Sequence, residues 1–238
     1  MRSPIPDFLD ETLDRFRPDR SGENADYIPD LAAADSEKLA ICISTLDGIE
    51  YTSGDADHEF SIQSMSKPFI YGLALEQEGL AGVLEKVGVE PSGEKFNELS
   101  LDKMSGRPLN PMINAGAMTI HSILGEPGAG LPERTELVRA GLSRFAGREL
   151  TIDEDVADGE WREAYRNVAI ANMLRSYDIF FDDPDEVVRG YIEQCSVLVT
   201  VKDLAIMAAT LAGGGINPLT GEHVLSPRVN RQVLAVMM

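Results

Sequence analysis

Lysine is scarce in this chain: six residues of 238, beside 15 arginines, so that 21 basic residues face 40 acidic ones for a formal net charge of −19. So negative a chain repels phosphate backbones and anionic headgroups, which argues against nucleic acid and membrane surfaces as partners. Cysteine is scarcer still. Cys42 and Cys195 stand in apolar stretches without a Cys-x-x-Cys pair, and read as buried free thiols of a reducing compartment. His58, His121 and His223 lie far apart with no ligand-spaced partners, so no metal site is indicated. The glycine clusters match neither the P-loop nor the dinucleotide pattern. The amino terminus has no apolar signal core and no apolar run approaches transmembrane length. The expectation is a soluble, cytoplasmic protein, and 43% hydrophobic residues are enough for a substantial core.

What is present centres on His58–Tyr71. Phe60 and Ile62 alternate with polar residues, as a short extended segment would. From Met65 the apolar positions change to helical spacing, with Phe69 and Leu73 following and Gly79 as a stop. Pro68 belongs in a first helical turn, where its missing N–H is not needed. Ser64 therefore falls near a helix start, where free N–H groups favour negative charge. Lys67 follows three residues later on the same face. A serine needs a group to take its proton before it attacks, and a neutral lysine amine can do so once burial lowers its pKa. Two further Ser-x-x-Lys pairs, Ser92/Lys95 and Ser100/Lys103, lie in turn and polar contexts and read as accidental.

Around this stretch the pattern predicts an amphipathic helix over 7–17 with Leu9, Leu13 and Phe16 inward, and a compact apolar turn at 27–31. A strand over 39–45, an Asp47-Gly48 turn and a return strand over 49–53 follow. Helices are predicted over 65–78, 80–87, 114–124, 132–146, 160–177, 184–194, 200–213 and 227–238. A lone hairpin is marginal in water, and the last helix carries no C-cap signal. Both suggest that strands completing a sheet lie beyond Met238.

Several polar residues admit two readings. Asn110 before Pro111 reads first as a turn or cap. Asn114 opens a helix of small residues and could equally serve a polar ligand. Glu160 and Asn167 are seven apart, two turns along one face of the predicted helix, and Glu160 is either a ligand contact or part of a solvated charge run with Arg162 and Arg166. Tyr191 is either a core aromatic or a proton donor to a pocket.

Three long segments, Phe60-Ser-Ile-Gln-Ser-Met-Ser-Lys-Pro68, Val87-Gly-Val-Glu-Pro-Ser-Gly-Glu94 and Gly106-Arg-Pro-Leu-Asn-Pro-Met-Ile-Asn-Ala-Gly-Ala117, resemble the bacterial-type glutaminases. So do Ala25–Leu31, Ser53–Asp57, Arg166-Asn167 and Tyr191 with Gln194-Cys-Ser196, in family order. The resemblance implies an α/β (α+β) fold like the serine β-lactamases and penicillin-binding proteins: one domain over 1–238, with an N-terminal helix and hairpin in 1–63 and a mainly helical part in 64–238. It implies hydrolysis of L-glutamine to L-glutamate and ammonia, with no cofactor, by a homo-oligomer (dimer or tetramer). It makes Ser64 the nucleophile and Lys67 its base, with Tyr191 in the catalytic group. Tyr27, Gln63, Ser64, Asn114, Glu160, Asn167 and Tyr191 match substrate-contacting positions. The family continues with a further active-site tyrosine and a Lys-Ser-Gly-Val-Gly-Gly-type strand that supplies a second oxyanion donor. By this reading the 238 residues are C-terminally incomplete and weakly active or inactive by themselves. A β-lactamase-like acyl-transfer enzyme and an inactive glutamine-binding fragment are the alternatives.

Overall fold

The computed structural model describes residues 3–26, 28–93, 95, 97, 98 and 100–238. Tyr27, and Glu94 at the end of the second family-like segment, lie outside them. Helix α1 (Ile5–Phe16) buries Leu9 and Leu13. Phe16, expected inward, is 54% exposed because the last turn runs past the hairpin that the helix covers. The apolar turn after Tyr27 is a short helix, α2 (Pro29–Ala32). Strands β1 (Ala40–Ser44) and β2 (Glu50–Gly54) form the expected antiparallel hairpin, with Cys42 opposite Thr52. Helix α1 packs on β2, and α9 (Val201–Ala212) packs on β1, so helices cover a hairpin that would be marginal alone.

The chain then enters β3 (Phe60–Ser61), a 3₁₀ turn (Gln63–Ser66) and α3 (Lys67–Lys86), which bends at Gly79 where a stop is expected. β3 pairs antiparallel with β4 (Leu198–Val199). β3 falls in the short extended segment expected at Phe60 and Ile62, whereas β4 is too short for local pattern to detect and its partner lies far along the chain.

Helices α4 (Asn114–Ser122), α5 (Leu131–Ala146), α8 (Pro184–Cys195) and α10 (Pro227–Met237) fall close to expectation. The predicted helix over 160–177 does not. It is two helices, α6 (Glu154–Arg162) and α7 (Tyr165–Ser176), joined at Glu163-Ala164. No glycine or proline marks the break between 160 and 176, so docking rather than propensity imposes it. The earlier start of α6 has a local cause: the Asp153 side chain accepts from the Val156 N–H at 3.1 Å. Glu160 and Asn167 therefore share no helical face. Among the described residues no helix is long and apolar enough to cross a membrane.

Two apolar cores organise the molecule. One gathers Ile62, Phe69, Leu142, Phe145, Val197, Leu225 and Val233; the other Ile113, Met118, Leu174, Val188, Tyr191 and Ile192. Helix α3, which follows Ile62 of the first core, packs against α4, which follows Ile113 of the second. The chain leading into α4 folds tightly over it at Gly116, where a Cβ would lie 1.9 Å from the Asn110 carbonyl oxygen. Gly116→Ala is expected to destabilise the fold by about 3 kcal/mol and lower Tm by about 6–12 °C, read by thermal denaturation. A shift within error would mean that the α4 junction yields readily.

Candidate active site

The strand-to-turn junction sets the site. Gln63 carries φ of +53°, a left-handed backbone that costs a non-glycine residue about 1–2 kcal/mol and that gathers at functional sites. It turns the chain so that Ser64 faces outward while Ser66 and Lys67 point in, at 0% and 3% exposure. Pro68 occupies the first turn of α3, as its missing N–H requires.

Lys67 Nζ donates to Asn114 Oδ1 at 2.8 Å and to the Met112 carbonyl at 3.1 Å. Its nitrogen lies 5.8 Å from the Tyr191 ring centroid. Burial pulls the ammonium down to about 8, although the Glu160 charge opposes that shift. The Asn114 carboxamide is oriented by its partners. Its oxygen accepts from Lys67 and from the Tyr191 hydroxyl at 3.3 Å, and its nitrogen donates to Asn167 Oδ1 at 3.1 Å. Burial holds the Tyr191 phenol well above its ordinary pKa, and the neighbouring Ser64 hydroxyl works the other way. At neutral pH Tyr191 is thus a donor and not a base.

Glu160 is the anomaly. Its Oε2 is buried with no hydrogen-bond partner among the described residues, and burial raises the carboxyl to about 7 against the pull of Lys67. An orphaned buried carboxylate oxygen is costly unless something else arrives to pair with it.

Gln63, Ser64, Asn114, Glu160, Asn167 and Tyr191 line one cavity of about 270 Å³, with Lys67 behind it. Six residues singled out from sequence thus converge from four regions of the chain: the 3₁₀ turn, the start of α4, the α6–α7 segment and α8. Asn110 takes the structural role expected of it, accepting from Met112 N and donating to the Glu90 carbonyl. Cys195, Asn97, Glu163 and Ile28 also line the cavity and escaped the sequence reading. Only Cys195 left a usable signal, one helical turn after Tyr191 on the same face. Arg166 stands at the rim, paired with Glu98 at 2.9 Å. A more open cleft of about 600 Å³ between Glu50, Asp57, Arg148 and Lys202 is the larger space. Its cations are already neutralised, Arg148 by Asp203 at 2.7 Å and Lys202 by Asp57, and it holds no activated nucleophile.

Comparison with known proteins agrees with this geometry. A glutaminase from Corynebacterium efficiens is 50% identical over 234 residues, covering 98% of this chain and 55% of that protein. Glutaminase 2 of Bradyrhizobium diazoefficiens is 48% identical over 237 residues, 37% of its length. The chain thus spans about half the length of the curated relatives it matches. Among solved structures, that of Mglu in its glutamate form superposes with a TM-score of 0.95 at 48% identity, covering all of this chain and 55% of that one. A "Probable glutaminase from Bacillus subtilis complexed with 6-diazo-5-oxo-L-norleucine" gives 0.87 at 32% identity, covering all of this chain and 73% of that one. These neighbours carry the serine β-lactamase-like fold, as this chain does. With the glutaminase family profile matching residues 22–238, the chain belongs to the glutaminase family.

Proposed function

We propose that this chain carries the glutamine-hydrolysing site of a glutaminase, with Ser64 as nucleophile and Lys67 as its base. The observation that carries the reading is the unpaired Glu160 carboxylate facing the same small cavity as Ser64. Free glutamine brings an ammonium, a carboxylate and a neutral amide. Glu160 suits the ammonium through a charge-assisted hydrogen bond. The Asn167 amide suits the carboxylate, which leaves the side-chain amide to reach Ser64. The Gln63 carboxamide, held by its donation to Ser61 Oγ at 3.0 Å, borders the reacting end.

In this mechanism neutral Lys67 removes the Ser64 proton as Oγ attacks the amide carbon. The carbonyl oxygen gains the negative charge, which the Ser64 backbone N–H stabilises. Tyr191 donates to Asn114 Oδ1 beside Ser64 in the same cavity and keeps its own proton. The tetrahedral intermediate collapses, the C–N bond breaks, and the proton held by Lys67 passes to the departing ammonia. Water then adds to the γ-glutamyl ester, Lys67 takes its proton, and Ser64 leaves with that proton as glutamate forms. A β-lactam is anionic, and the orphan carboxylate of Glu160 opposes it.

The test is ammonia release from L-glutamine by the wild-type chain and by Ser64→Ala. Release lost in the variant supports the reading. Release that survives the substitution overturns it.

A further inference from the structure

Beneath the reactive groups lies a second polar layer. Ser66 and His121 are at 0% exposure and Gln194 at 1%. His121 stands two turns beyond Asn114 on α4, and Gln194 one turn beyond Tyr191 on α8, so each lies below a residue of the site. Gln194 Nε2 donates to Ser66 Oγ at 3.0 Å, and Ser66 Oγ donates to the Gln63 carbonyl at 2.9 Å. At the far end, Gln194 Oε1 and both His121 ring nitrogens have no partner at hydrogen-bond distance. Burial and the Arg134 charge pull the imidazole down to about 4, so His121 is neutral at physiological pH and packs against α8 without a bond to Gln194. Gly190 makes the room, since a Cβ there would lie 2.1 Å from His121 Nε2.

Fold stability alone does not call for such a layer, because an apolar filling of the same shape avoids the cost of burying polar groups. What the chain of bonds ends on is informative. The Gln63 carbonyl and the Ser64 N–H belong to one planar peptide unit, so a bond that fixes one direction fixes the other. That peptide follows the left-handed Gln63 backbone, which unconstrained would relax.

We propose that Gln194 and Ser66 are positioning residues that grip the Gln63 carbonyl and thereby aim the Ser64 N–H at the developing oxyanion. The proposal rests on Ser64 being the nucleophile. It is tested with Ser66→Ala, using 6-diazo-5-oxo-L-norleucine as a covalent probe together with a crystal structure of the variant. The expected result is a maximal labelling rate reduced about tenfold or more, a half-saturating probe concentration within about twofold, and a Gln63 φ that has left the left-handed region. An unchanged labelling rate with the Gln63 peptide in place would overturn the proposal. If wild-type Ser64 is not labelled, the glutaminase reading fails, and the Gln63 peptide alone then decides: unmoved in Ser66→Ala, it refutes positioning. Should Ser66→Ala fail to fold, Ser66→Cys, of the same shape but a weak donor, serves in both measurements.

Discussion

Lys67→Met is expected to lower the rate of Ser64 acylation by about 10³-fold, within the range typical for loss of a general base, while leaving the protein at least as stable. The two effects share a cause. Burial pulls the lysine from 10.5 to about 8, so that about a tenth of the amines are neutral at pH 7 and able to accept the serine proton. The same burial makes the charged form unfavourable in the folded state. The unfolded chain binds more protons than the folded chain between pH 8 and 10.5, so this group makes stability rise with pH across that window. Methionine fills a similar volume without a charge, and stability becomes flat in pH at this site. Single-turnover kinetics and thermal denaturation across pH 7–10 read both. A variant that acylates at the wild-type rate would assign the base elsewhere.

Glu160→Gln is expected to raise KM for glutamine by about 30-fold or more, as truncating one partner of a buried charge pair costs about 2–5 kcal/mol, with a smaller effect on kcat. The free enzyme holds this carboxyl at about 7, so protons compete with the substrate ammonium below that pH. In the wild type KM should therefore climb as pH falls below 7, and in Glu160→Gln that climb should vanish. Stability moves in the opposite sense to the lysine. A carboxyl raised from 4.5 to about 7 by burial contributes stability that is present below 4.5 and lost as pH rises to 7. Glu160→Gln should thus be the more stable protein above pH 7 and should lose that slope. Equal KM values for the two proteins at pH 8 would remove Glu160 from substrate recognition.

Much of this site was legible in the chain because its parts sit at local signals. Pro68 fixed the start of α3 and with it the neighbourhood of Ser64, and the small residues after Asn114 marked a helix that packs closely. Gly79 ended a helical segment where it was expected to. The failures have one character: each depended on a partner distant in sequence. β4 is too short to announce itself and exists by pairing with β3, whose extended character alone was visible at Phe60 and Ile62. The break between α6 and α7 falls among good helix formers, so a single helix was the reasonable local expectation, and only packing separates Glu160 from Asn167. Phe16 was assigned inward by period alone, but the α1 stripe outlasts the hairpin it covers. Asn114 remained ambiguous from sequence because its role depends on three partners, from α3, α7 and α8. The same holds for Cys195, which sequence presented only as a buried thiol.

The most direct test is chemical. The chain would be mixed with L-glutamine, quenched in acid within milliseconds, digested and read by mass spectrometry for a glutamyl ester. The account predicts that ester on the peptide bearing Ser64, formed faster as pH rises through about 8, slowed in Lys67→Met and absent from Ser64→Ala. Glutamine consumed with no ester at Ser64 at any time, or with the ester on another residue, would contradict it.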